Sequence, residues 1–183
     1  MPGLAAVLGG AAGAFTELEM LRGMANVQGV YAVNDAAAQY PGPLEAFVTL
    51  HPEKLPEWRP LRSNVDSSHK CEYVAHSEHP LVTRVADYRW PGMNASGSSG
   101  LFAVKVALEK YDRVVCCGVP MDASRAHFFD SRPWVDVDSF WQAWLAALPY
   151  IATRVRSMSG RTAELLGRPT PEFLAGGDRR QLA

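Results

Sequence analysis

The segment Asn94-Ala-Ser-Gly-Ser-Ser-Gly100, running into Leu-Phe-Ala-Val-Lys-Val-Ala-Leu-Glu-Lys-Tyr-Asp-Arg-Val-Val-Cys-Cys-Gly118, most constrains the fold. It reads as a small-residue loop, an amphipathic helix, a tight connection and a buried strand. Leu101, Val104, Ala107 and Leu108 share one helical face, and residues 114–117 form the strand that follows. The same strand–turn–helix grammar opens the chain. Residues 4–8 predict a buried strand, Gly9-Gly10-Ala11-Ala12-Gly13 a turn, and residues 15–24 a helix. Residues 28–33 and 46–50 predict further strands, each followed by a short helical segment at 36–40 and 53–58, the second stopped before Pro60. Alternation of this kind predicts a three-layer α/β/α Rossmann-like domain with a mainly parallel sheet.

The middle of the chain is less regular. Residues 71–75 and 82–86 predict short strands, and Arg89-Trp90-Pro91-Gly92 a turn. Residues 138–153 predict the longest helix, residues 155–158 a last strand and residues 162–166 a short helix that Pro169 and Pro171 close. Trp141 and Trp144 sit three apart on the long helix, which favours core or oligomer packing over sugar stacking. Trp134, after Arg132-Pro133, is the better-placed ligand candidate. Residues 1–175 are expected to form a single domain and residues 176–183 a loose tail.

Composition narrows the partners. Eighteen Lys and Arg against 19 Asp and Glu give a formal charge of -1, without the basic footprint that nucleic-acid backbones require. The N-terminal residues lack a basic leader region and no apolar run is long enough to span a bilayer, which predicts a cytoplasmic protein. Three cysteines, two of them adjacent at Cys116 and Cys117, predict reduced core thiols rather than a disulfide scaffold. The cluster Asp66-Ser-Ser-His69-Lys-Cys71 with His76 and His79 matches no strong zinc spacing, so no metal is expected.

In an open α/β sheet, ligands collect beyond the carboxyl ends of the strands. The residues predicted there are Gly9 and Gly10, Asn34, His51, Gly118, and Ser159 with Gly160. Ser98, Ser99 and Gly100 open the helix, where free N–H groups and the positive helix end suit a phosphate. Each has an ordinary structural alternative: Ser98 or Ser99 as helix cap, Asn34 as cap of the next helix, Gly9 and Gly10 as a tight turn. The first loop lacks the complete G-x-G-x-x-G spacing of dinucleotide-binding proteins, which disfavours an NAD-dependent oxidoreductase. No G-K-[ST] ending is present either, which disfavours a Walker phosphate loop.

Residues 97–122, Gly-Ser-Ser-Gly-Leu-Phe-Ala-Val-Lys-Val-Ala-Leu-Glu-Lys-Tyr-Asp-Arg-Val-Val-Cys-Cys-Gly-Val-Pro-Met-Asp, carry a resemblance. The segment resembles bacterial sialyltransferases with one Rossmann-like domain, and the glycosyltransferase-like domains of flagellin-modification proteins. Similar modules occur in prophage-type proteins. Gly9 to Gly13 look like the glycine-rich loop of those families, Val33-Asn34-Asp35 like their second strand end, and His51-Pro52 like their third. The resemblance implies that Gly10, Asn34, His51 and Ser99 surround a cytidine or uridine nucleotide or a nucleotide sugar, with Ser159 and Gly160 near its base. It also implies a histidine base beyond the strand ending at Gly118, where His127 is the nearest, and Arg125 beside it would offset phosphate charge. The chain departs from the pattern at Gly10, Ala11 and Ala12, where those families carry N-G-P-S-like residues. Two functions stay open: a nucleotide-sugar-dependent glycosyltransferase, or a non-catalytic nucleotide- or sugar-phosphate-binding module. Homo-oligomerisation stays open as well.

Overall fold

The computed structural model describes residues 3–66, 70–94, 98–123, 127 and 137–176. Seven parallel strands form one sheet: β1 (Leu4–Leu8), β2 (Gly29–Val33), β3 (Ala46–Thr49), β4 (Glu72–Ala75), β5 (Arg84–Val85), β6 (Arg113–Cys117) and β7 (Val155–Ser157). Their order is β5-β4-β3-β2-β1-β6-β7, and every pair is parallel. The chain therefore winds outward from β1 to β5, returns to lay β6 beside β1, and continues outward to β7. The β1–β6 junction is the topological switch point, where neighbouring connections leave to opposite sides and open a crevice.

Parallel strands are covered on both faces, and that is why β1, Leu-Ala-Ala-Val-Leu, is buried along its whole length. Alternate residues feed two cores. Ala5, Val7, Tyr31, Val33, Val48, Val114 and Cys116 pack with α4 (Ser99–Leu108) and α5 (Val137–Ile151). Leu4, Ala6, Leu8, Val30, Ala32, Phe47, Val115 and Cys117 pack with α1 (Ala14–Met24), α2 (Asn34–Gln39), α3 (Leu55–Val65) and α7 (Pro171–Ala175). A last helix, α6 (Gly160–Leu166), follows β7. The result is a three-layer α/β/α Rossmann-like fold.

The helix α4 lies across β1, β2, β3 and β6, so it is buried almost all round rather than along one stripe. Trp144 of α5 is fully buried in the same layer, a core residue as its spacing predicts. Arg154 closes the other end of α4, donating to the carbonyls of Leu108 at 3.1 Å, Tyr111 at 2.9 Å and Asp112 at 3.0 Å. Such cationic capping satisfies the carbonyls that a helix C-terminus leaves over.

Three sequence expectations are corrected. Pro60 does not stop the third helix; after a 3-10 turn at Pro52–Lys54, α3 runs through it to Val65. Proline removes one intrahelical donor there, and tertiary contacts outweigh the loss. Leu55 and Trp58 are buried, and Arg62 donates to the carbonyls of Tyr40 and of Gly42 (2.7 Å) while pairing with Asp66 at 2.9 Å. Pro171 does not close a unit but opens α7: Thr170 accepts from the Phe173 N–H at 3.2 Å, with proline at the first helical position. That helix ends at Gly176 and drives Phe173 into the second core. The fifth strand is only Arg84–Val85, paired with Val74 and Ala75 of β4.

Candidate functional site

At the switch point the carboxyl ends of β1, β2 and β6 meet the first turn of α4 around a cavity of about 90 Å³. That space suits a phosphate-sized group; clefts that enclose a drug-sized ligand run to roughly 300–1,000 Å³. The walls are Gly9, Gly10 and Ala11 from the β1 exit, Val33 and Asn34 from β2, and Ser98, Ser99 and Gly100 from α4. Gly118, Val119, Pro120 and Asp122 come from the β6 exit, and His127 completes the rim.

Ser98 and Ser99 are each only 8% exposed, and their partners fix what they can offer. The Ser98 hydroxyl oxygen accepts from the Leu101 N–H at 3.2 Å, the N-cap bond, and from the Trp144 indole N–H at 3.2 Å. Two incoming donors occupy both lone pairs, so the hydroxyl proton is the group that remains to donate. Ser99 accepts from the Leu50 N–H at 3.3 Å. The first-turn N–H groups of Ser99 and Gly100 have no intrahelical carbonyl to bond. No acidic residue lies in that turn, so the positive helix end is not offset from within it.

Asn34 adopts a left-handed backbone, φ +49°, at the end of β2, a conformation asparagine tolerates better than most residues. Its side chain does not cap α2. Instead, its Oδ1 accepts from the Thr49 hydroxyl at 2.8 Å, and Thr49 in turn accepts from the His51 N–H at 2.9 Å. With Oδ1 engaged by a fully buried threonine, the Asn34 amide is held with its N–H donors available elsewhere. The polar groups from α4 and β2 are therefore weighted toward donors. Asp122 supplies a carboxylate on the β6 side.

The glycines serve close packing. A Cβ on Gly9 would stand 2.2 Å from the Gly118 carbonyl oxygen, and one on Gly118, φ +68°, would stand 2.2 Å from the Ala14 Cβ. The Gly118 carbonyl accepts from the Ala11 N–H at 3.2 Å, and Ala11 makes an isolated antiparallel bridge with His127. That bridge brings His127 over the first loop.

Of the residues singled out from sequence, Gly9, Gly10, Asn34, Ser98, Ser99, Gly100, Gly118 and His127 line this cavity together. His51 does not line it: its imidazole is largely exposed, 3.3 Å from the Glu53 carboxylate. Ser159 and Gly160 stand one layer behind, where a Cβ on Gly160 would meet the Pro120 Cβ at 2.4 Å. Arg125, His69 and Trp134 lie outside the described residues. Among the described residues, no group of three or more His, Cys, Asp and Glu could hold a metal ion. Among them too, no helix is long and apolar enough to cross a membrane. Burial holds the Cys116 and Cys117 thiols well above their ordinary pKa, which leaves them protonated and unreactive.

Sequence reasoning missed Thr49, Trp144 as a partner of Ser98, Asp122, and the apolar walls Val33, Val119 and Pro120. A threonine ending a strand and a tryptophan on an amphipathic helix carry no local signal of a site. Comparison with protein-family models, curated proteins and solved structures finds no match for this chain. The fold itself is consistent with a nucleotide-binding Rossmann module.

Proposed function

We propose that the chain binds a nucleotide or nucleotide sugar, with its phosphate at the α4 turn. The observation that carries this reading is the donor set gathered at the switch point. Buried Ser98 and Ser99 hydroxyls, the Asn34 amide and first-turn N–H groups meet around a phosphate-sized cavity. Preorganised donors and a helix N-terminus together favour an anion rich in acceptor oxygens. The small volume leaves the sugar and base to lie along the mouth, where Asp122 can accept from ribose hydroxyls.

The sialyltransferase-like reading adds chemistry to this binding. His127 at the rim would take the proton of an acceptor hydroxyl, and the α4 turn would stabilise the departing phosphate. Arg125 would share that charge. Neither role calls for a metal. A cytidine or uridine nucleotide is the ligand this reading favours. A non-catalytic nucleotide- or sugar-phosphate-binding module is the second reading, favoured by the ordinary packing explanations for Gly9 and Gly118.

Calorimetry against a panel of nucleotides and nucleotide sugars tests both readings. Selective binding of a cytidine or uridine species, weakened at least tenfold by Ser99→Ala and by Asn34→Ala, is expected. Donor turnover that falls with His127→Ala marks a transferase; affinity without turnover marks a binding module. A folded protein that binds nothing on the panel refutes the donor site.

A further inference from the structure

The β6 exit, residues 118–122, is bent at two points and clamped from two sides. Gly118 (φ +68°) and Met121 (φ +51°) both take left-handed backbones, and Met121 is a fully buried non-glycine residue held there by its surroundings. From the α1 side, the Glu17 Oε2 accepts from the Gly118 N–H at 2.7 Å. From the α6 side, the fully buried Thr162 hydroxyl donates to the Val119 carbonyl at 2.6 Å, with the Ser157 hydroxyl 2.8 Å behind it. Between these clamps sits the buried side chain of Val119. Its Cγ2 lies 2.6 Å from where a Cβ on Gly9 would stand, and its Cγ1 2.9 Å from where one on Gly100 would stand. The isopropyl group therefore fills the gap between the β1 exit and the first turn of α4. All three residues are walls of the same cavity.

We infer that Val119 gauges the site, admitting one phosphoryl group and excluding a second, and that Thr162 is the positioning residue that holds it there. The inference deepens the reading above and rests on it for phosphate at the α4 turn. A close-packed wall resists displacement. The two Val119 methyls meet Gly9 on one side and Gly100 on the other, and the peptide behind them is fixed through its carbonyl. A phosphate can therefore reach the first-turn N–H groups of Ser99 and Gly100, but a pyrophosphate finds no space beside it within the cavity. Charge alone cannot supply this selectivity, since a helix end and its donors attract the more highly charged anion more strongly. A packed side chain supplies it by exclusion. Thr162 touches no ligand. Removing its hydroxyl deprives the buried Val119 carbonyl of that donor and releases the wedge.

Amide NMR titrations with inorganic phosphate and with pyrophosphate test it on the wild-type chain, Val119→Ala, Thr162→Val and Thr162→Ser. Dissociation constants are read at the Ser99 and Gly100 amides, and spectral dispersion reports folding in each titration. The wild type should bind phosphate more tightly than pyrophosphate. Val119→Ala should shift that preference toward pyrophosphate by roughly tenfold or more, the discrimination that a methyl-sized change in a pocket supplies. Thr162→Val, which keeps the shape and removes the hydroxyl, should shift it in the same direction, whereas Thr162→Ser should keep the wild-type preference. The ratio of the two constants cancels a general loss of stability, which a merely structural role would impose on both ligands equally. If Val119→Ala does not fold, the Thr162 variants carry the test, and an unmoved ratio in Thr162→Val then overturns the inference. With phosphate still bound, a wild type that favours pyrophosphate, or a ratio unmoved in Val119→Ala, overturns the inference and leaves the phosphate reading standing. A ratio moved by Val119→Ala but not by Thr162→Val removes the positioning role of Thr162 alone. Silence at Ser99 and Gly100 toward both anions in every protein overturns the phosphate reading itself, and this inference with it.

Discussion

Replacing Ser98 by alanine should cost far more stability than a serine substitution normally does. Its hydroxyl caps α4 through the Leu101 N–H and receives the indole N–H of fully buried Trp144, both at 3.2 Å. Loss of an N-cap costs about 1 kcal/mol. A buried indole donor left without an acceptor costs roughly 1–3 kcal/mol more. Ser98→Ala should therefore destabilise by about 2–4 kcal/mol, lowering Tm by roughly 4–16 °C in a chain of this length. Urea denaturation gives the change in stability directly, and a second variant separates the two contributions. Trp144→Phe removes the donor, so adding Ser98→Ala to it should cost only the cap, about 1 kcal/mol. A coupling energy near zero in that double-mutant cycle would refute the assignment of the indole bond. A Ser98→Ala variant within 0.5 kcal/mol (roughly the scatter of neutral surface changes) would refute the burial argument as a whole.

Gly118→Ala should destabilise by about 2–4 kcal/mol, because overpacking and a strained positive φ act together where the new Cβ would stand 2.2 Å from Ala14. Denaturant midpoints check it, and a neutral result would mean that the β6 exit turn relaxes freely. Alkaline pH should weaken the fold through Cys116 and Cys117, whose thiols burial raises above the ordinary value of 9.0. The unfolded thiols ionise near that value while the folded ones keep their protons, so stability is retained below it and falls as pH rises past it. Each should cost about 1.4 kcal/mol per pH unit above that point, and a Cys116→Ala/Cys117→Ala variant should flatten the fall. An equal alkaline slope in that variant would rule the thiols out.

Strand–turn–helix grammar is local, and local signals were legible. Apolar runs such as Leu4–Leu8 and residues 114–117 state their burial in composition, and small residues mark their ends. Because ligands gather beyond strand ends, Gly9, Asn34 and Gly118 could be nominated without knowing which strands are neighbours, and Ser99 because it opens a helix. Helix limits at Pro60 and Pro171 were misread because proline's local cost is known from sequence, whereas the compensation is not. Arg62 reaching Tyr40 and Gly42, and Phe173 entering the core, are long-range contacts.

By itself, the sequence determined the layered α/β character and most of the segments from which the cavity is built. Tertiary structure alone decided which of them meet. Laying β6 against β1 put Gly118 beside Gly9, brought Ser98 under Trp144 and left His51 outside. It also set Thr49 against Asn34 and Glu17 against Gly118, two contacts with no sequence signature. The reason is physical: hydrophobic periodicity specifies which face of a segment is buried, whereas strand order specifies its neighbours. A site at a switch point is made of neighbours.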